Sequence, residues 1–246
     1  MQSGTPLLLL PGLMNDERVW EPIHRAVAGR TLVNANTHFA DSISALADAA
    51  IAGMPMGRFA VAGFSLGGYV ALEVCRQASN RIAGIALIDT GARPDTPESM
   101  QNRRRMIDSL STRNASFAEV GRLFAARILH PTHVADSKLL ELLSDMAQVV
   151  GADGFVRQQI AAMNRNDMRE VLRELRCPAL VLCGCDDRIT PPALSEEMAQ
   201  LLGGEADLVL VPESGHMSSL EQPAAVAEAF ERWIAKVDAA ENKSTH

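Results

Sequence analysis

The sequence predicts an α/β architecture: a sheet of about six strands, mostly parallel, flanked by helices and interrupted by an all-helical insertion. Three observations carry this prediction. Short apolar runs alternate with longer stretches of helical periodicity, as in repeated strand–helix units. The apolar runs are continuous rather than alternating, which fits strands buried on both faces. Positions 94–167 carry no strand signal, so they read as one helical block set into the alternation.

Leu7, Leu8, Leu9 and Leu10 form the first run, closed by Pro11-Gly12. Positions 15–27 read as a helix and 31–34 as a weaker strand. Positions 41–53 are Ala-rich and periodic. A strand at 58–64 runs into a glycine-rich turn, and 67–78 continue as a helix. Another strand covers 84–88. The block 94–167 reads as three or four amphipathic helices, broken near Asn114, at His130-Pro131 and between Gly151 and Gly154. Strands at 179–183 and 207–211 follow. Pro192 and Pro223 each open a helix at a position where a missing N–H costs little. The last helix, 223–237, repeats apolar residues at Val226, Phe230, Trp233 and Ile234. The tail, 241–246, is polar and expected to fray. The expected division is a core of 1–93 and 168–246 with a cap insertion of 94–167.

A chain of 246 residues with 47% hydrophobic content can bury a sizeable core. Its formal net charge of −7 gives no attraction to phosphate backbones, which argues against a nucleic-acid partner. No apolar stretch approaches a membrane span. The residues before Leu7 lack the basic region and long apolar run of a signal peptide, so a cytoplasmic protein is expected. Cys75, Cys177, Cys183 and Cys185 lie in apolar surroundings and read as reduced, structural thiols. Cys183 and Cys185 have only Asp186 and Asp187 close by, too few ligands for a metal site. No metal and no other cofactor is expected; monomer and homodimer both remain open.

The strongest chemical signal is Gly63-Phe64-Ser65-Leu66-Gly67, followed by Gly68. It joins a strand to a helix, the setting of a nucleophile elbow, whose sharp turn needs small residues beside the serine. A serine hydroxyl is a weak nucleophile at neutral pH. It needs a base within hydrogen-bond reach, and that base needs an orienting acid. Downstream, the chain offers Asp186 and Asp187 in a loop after one predicted strand, then His216 in Ser214-Gly215-His216 after the next. Both loops open at the carboxyl edge of the sheet, where open α/β sheets hold their ligands.

Together the elbow, the Gly-x-x-Asp-x-x-x-Pro pattern from Gly184 to Pro191 and the Gly215-His216 pair resemble the three signatures of the α/β-hydrolase superfamily. The resemblance covers nearly the whole chain. It implies Ser65 as nucleophile, His216 as base and Asp187 as acid, with Asp186 a solvated neighbour. It places an oxyanion hole at the backbone N–H groups of Leu66 and, in the loop after the first strand, Leu13. Many relatives carry His-Gly where this chain has Pro11-Gly12; backbone donation does not depend on that side chain. Relatives typically have two further strands before the oxyanion loop; with about six residues before Leu7, this chain is expected to lack them. Serine at the elbow points to acyl chemistry, since relatives that open epoxides or cleave carbon–halogen bonds carry Asp there. The expectation is a carboxylesterase acting on a small-molecule ester, similar to small carboxylesterases and enol-lactone hydrolases. Lactone or C–C bond hydrolysis with the same triad is the alternative, followed by acyl transfer or a silent ligand receptor.

Met14, Trp20, Phe64, Met217 and Phe124 are expected to line an apolar substrate pocket, although Trp20 reads better as core. Arg103, Arg104 and Arg105, with Arg113, Arg122 and Arg127 further on, fit a solvated helix face. They also fit an anchor for a substrate carboxylate or an acidic acyl carrier. His130 and His133 read as surface or lid residues.

Overall fold

The computed structural model describes residues 4–111 and 116–244. Its sheet has six strands: β1 (Leu7–Leu10), β2 (Leu32–Asn34), β3 (Phe59–Phe64), β4 (Ile82–Ile88), β5 (Ala179–Gly184) and β6 (Ala206–Val211). Their order is β2-β1-β3-β4-β5-β6. Every pairing is parallel. All strands therefore end at one edge, and the loops that leave that edge build the site.

The continuous apolar runs follow from burial on both faces. Leu8, Leu10, Val61, Ile85 and Leu87 pack on one side with the helices α1 (Ile43–Ala52) and α2 (Leu66–Gln77). Leu7, Leu9, Ala62, Ala86 and Ile88 pack on the other, against Trp20, Phe230 and Trp233. The strand β4 begins two residues before the predicted start because it passes through Gly84. A Cβ there would lie 2.4 Å from the Val237 side chain, so only glycine lets the last helix approach so closely.

Between β4 and β5 stand α3 (Pro97–Ser111), α4 (Phe117–Ile128), α5 (Ser137–Met163) and α6 (Arg169–Glu174). The predicted breaks at His130-Pro131 and at Gly151 are present; Gly151 sits at φ 69° within α5. The break expected near Asn114, and Arg113 with it, lie outside the described residues. Beyond β5 come α7 (Pro192–Leu201), α8 (Ser218–Glu221) and α9 (Pro223–Ser244).

Two expectations need correction. The helix expected at 15–27 is a 3-10 segment, Glu17–Ile23, because Pro22 has no N–H to continue an α-helix. The tail expected to fray is helical through Ser244, and Arg58 Nε donates to Glu241 Oε1 at 2.9 Å. Thr245 and His246 lie outside the described residues. Among the described residues, no helix is long and apolar enough to cross a membrane.

Candidate active site

The turn from β3 into α2 places Ser65 at the carboxyl edge with φ 51°, in the left-handed region that costs a non-glycine residue. The surroundings over-determine it. The Ser65 N–H donates to the Ile88 carbonyl at 2.9 Å, and Thr90 Oγ1 donates to the Ser65 carbonyl at 2.7 Å. The flanking glycines are required by space: a Cβ on Gly63 would lie 2.3 Å from the Gly67 carbonyl oxygen, and one on Gly67 1.9 Å from that of Leu10.

Asp187 follows β5 and His216 follows β6; both are buried. His216 Nδ1 lies 2.7 Å from Asp187 Oδ2, and His216 Nε2 lies 2.9 Å from Ser65 Oγ. Asp187 Oδ1 also accepts the N–H groups of Ile189 and Thr190, at 2.7 and 3.0 Å, and Oδ2 accepts the Thr190 hydroxyl at 2.7 Å. Burial pushes the Asp187 carboxyl up, but the charge and hydrogen bond of His216 and the Thr190 donors outweigh it, so the group is held below its ordinary range. An ionised Asp187 must accept, so Nδ1 carries the imidazole proton and Nε2 is left to accept the Ser65 hydroxyl. Burial likewise opposes charge on His216, and Asp187 overrides it, raising the imidazole above its ordinary value. A hydroxyl held this way can lose its proton to the imidazole as it attacks an electrophile. Asp186, the sequence competitor, is 49% exposed at its side chain and lies 3.5 Å from His130 Nε2 instead.

Three residues that sequence reading missed hold this arrangement. Glu221, in α8, accepts the N–H groups of Gly215 (2.9 Å), Met217 (3.1 Å) and His130 (2.7 Å), clamping the His216 loop from both sides. Asp89 is buried at the end of β4 with φ 45°. It accepts the Gly184 N–H at 2.9 Å and both the N–H and the hydroxyl of Ser218, tying the Asp187 loop to the His216 loop. Burial, then the nearby charge of Asp187, pushes its carboxyl up to about 8. Gln158, buried in α5, accepts the Met14 N–H at 3.0 Å and donates to Thr37 Oγ1 at 3.1 Å and the Gly12 carbonyl at 3.4 Å. The only legible signal was an acid at the end of an apolar strand, for Asp89; Glu221 and Gln158 act through backbone groups far away in sequence.

Gln158 takes the Met14 N–H, and Asn15 N–H donates to the Gly12 carbonyl. Neither the Leu13 nor the Leu66 N–H donates to another described residue, and both residues line the cavity that holds Ser65 and His216. That cavity measures about 520 Å³. Met217 and Phe124 are among its lining residues. Met14, Trp20 and Phe64 are not. Met14 packs with Ala147 and Phe155 beneath the helical block. Trp20 is in the core with its ring 5.9 Å from Phe230, because the apolar side of the Glu17–Ile23 segment faces the sheet. Phe64 packs behind the imidazole, ring centroids 5.5 Å apart.

Of the arginine run, only Arg103 lines the cavity, and it is spent on Asp95 (2.7 Å) and Gln159 (2.6 Å). Arg104 and Arg105 are exposed on α3. Cys75, Cys177, Cys183 and Cys185 are all free thiols; Cys185 is exposed, unlike the others. Asp89, Cys183 and Asp187 bring three potential metal donors within 4.8 Å. Both carboxylates are already engaged by the donors above, and burial pushes the Cys183 thiol far up, so it resists the deprotonation that a metal needs.

A family model described as "Alpha/beta hydrolase family" matches residues 7–229. A thermophilic esterase from Thermogutta terrifontis, solved with malate bound, is 28% identical; the match covers 97% of this chain and 92% of that one, with a TM-score of 0.86. A pimeloyl-acyl-carrier-protein methyl ester esterase from Neisseria meningitidis serogroup A is 27% identical over 180 residues, 71% of this chain and 56% of that protein. The dihydrolipoyllysine-residue acetyltransferase component of an acetoin cleaving system from Pseudomonas putida is 27% identical over 238 residues, 89% of this chain and 60% of that protein. The chain thus spans little more than half the length of these two relatives.

Proposed function

The chain belongs to the alpha/beta hydrolase family, and on that premise we propose that it hydrolyses carboxylic esters through a covalent acyl-enzyme on Ser65. The observation that carries this reading is the hydrogen-bond chain from Ser65 Oγ through His216 to Asp187, 2.9 and 2.7 Å long. Ser65 Oγ attacks the ester carbonyl while His216 Nε2 takes its proton. The oxyanion forms between the unspent N–H groups of Leu13 and Leu66. Asp187 holds the tautomer and balances the imidazolium. His216 then protonates the leaving alcohol, and a water activated by the same imidazole releases the acid. The names of the similar esterases support ester hydrolysis.

We take 94–167 as the cap over this site. Met106, Phe124 and Ile128 of the insertion line the cavity and, with Met217, offer an apolar wall for a small to medium acyl or alkyl group. The four free thiols suit a reducing compartment, the cytoplasm.

A panel of p-nitrophenyl esters of graded acyl length, with a lactone alongside, tests the reading. Turnover of the esters that passes through an optimum with chain length is expected. Turnover of the lactone alone would replace the ester reading with lactone hydrolysis.

A further inference from the structure

Among the described residues, five arginines line the Ser65 cavity: Arg93, Arg103, Arg127, Arg165 and Arg188. Only two acids, Asp95 and Glu98, share the lining. This excess of cations stands out in a chain of net charge −7. Three of the five are committed. Arg93 pairs with Glu197 at 2.7 Å, Arg103 with Asp95 and Gln159, and Arg165 with Asp95 while its guanidinium lies 4.1 Å from the centre of the Tyr69 ring.

Arg127 and Arg188 are different. Both are exposed, and neither guanidinium makes a hydrogen bond or ion pair with any described residue. Each adjoins a residue that holds His216: Ile128 accepts the His216 backbone N–H at 2.7 Å, and Asp187 accepts from its imidazole. Their backbone positions are thus fixed relative to the reacting groups. A guanidinium is weakly hydrated and forks two N–H donors onto a carboxylate or phosphate. A cleft lined by one sign of charge concentrates counter-ions of the other.

We propose that Arg127 and Arg188 form an anion subsite at the mouth of the cavity, selecting esters that carry a second, anionic group. The chemistry recognised is a carboxylate or a phosphate monoester on the acyl chain, a few bonds from the scissile carbonyl. This rests on the reading of Ser65 as an ester-cleaving nucleophile. Hydrolysis breaks the acyl carbon–alkoxide bond, with water supplying the hydroxyl and the departing alcohol taking a proton. The anchored anion is unchanged, and the product gains one further carboxylate.

The test compares kcat/KM for the dimethyl and monomethyl esters of one straight-chain dicarboxylic acid, and for a methyl ester ending in a phosphate monoester. Wild type, the double variant Arg127→Gln/Arg188→Gln and the control Arg104→Gln are measured. A charge-assisted contact predicts a preference for the anionic esters of about ten- to hundredfold. The double variant should lose that preference and Arg104→Gln should keep it. A preference for the phosphate over the carboxylate ester identifies a phosphorylated acyl chain as the source of the anion; the reverse identifies a small dicarboxylate. Equal kcat/KM for neutral and anionic esters in wild type, or an unchanged ratio in the double variant, overturns the subsite. Calorimetric binding of the monomethyl ester to Ser65→Ala protein separates the two readings. The subsite predicts binding that the double substitution weakens even if no ester is turned over; absence of that effect overturns it.

Discussion

The backbone N–H of His216 donates to the carbonyl of Ile128, the last residue of α4, at 2.7 Å. The loop after β6 is therefore bonded directly to the helical insertion. Glu221 reinforces the junction by gathering N–H groups from both sides of it. The geometry of the imidazole depends on the insertion as well as on the sheet.

Replacing Glu221 by Ala strands three backbone donors at once. Each buried unsatisfied donor costs about 1–3 kcal/mol. A fall in melting temperature is expected, and a fall in kcat of about tenfold or more with little change in KM, since the loop that aims His216 is loosened. Thermal denaturation and steady-state kinetics check this; unchanged values for both would show that Glu221 does not hold the His216 loop.

Gln158→Leu keeps the volume of the side chain but strands the Met14 N–H and leaves the Gly12 carbonyl with the Asn15 N–H alone. The loop that carries the proposed Leu13 donor then loses its hold. Misplacing one oxyanion donor should lower kcat by about tenfold, up to the roughly hundredfold or more of losing it outright. KM should change little. A rise in KM at constant kcat would show that Gln158 serves substrate binding instead.

The acid limb of kcat/KM follows His216. Only the neutral imidazole accepts the Ser65 proton, and Asp187 raises its affinity for protons above the ordinary value of 6.5. Activity should fall as pH drops, with a midpoint above 6.5. Asp187→Asn removes the stabilising charge, so the midpoint moves down while kcat drops by about 10⁴, as for the acid of comparable triads. A pH–rate profile of the two proteins decides it; a midpoint that does not move would disconnect Asp187 from His216.

The sheet was legible because each strand is a continuous apolar run, and both faces proved buried. Ser65, Asp187 and His216 were legible because each follows its own strand, and parallel strands deliver their loops to one edge. Phe64 was not placed correctly, and Trp20 kept a pocket reading beside the core one that the structure shows, since an aromatic residue reads alike whether it faces the core or a cavity. The clamps were hidden for another reason. Glu221 acts on the backbone of residues 215, 217 and 130, and Gln158 on residues 12 and 14, so no side-chain pattern marks them. The arginines show the same limit. The three-arginine run drew attention, yet it is the isolated Arg127 and Arg188 that reach the cavity without partners.

Every step of the proposed mechanism passes through the Ser65 hydroxyl. The most direct measurement is kcat for a p-nitrophenyl ester turned over by wild type, set against purified Ser65→Ala protein whose melting curve matches wild type. A loss of about 10⁶-fold in kcat is expected. An unchanged kcat in that folded variant would contradict that mechanism.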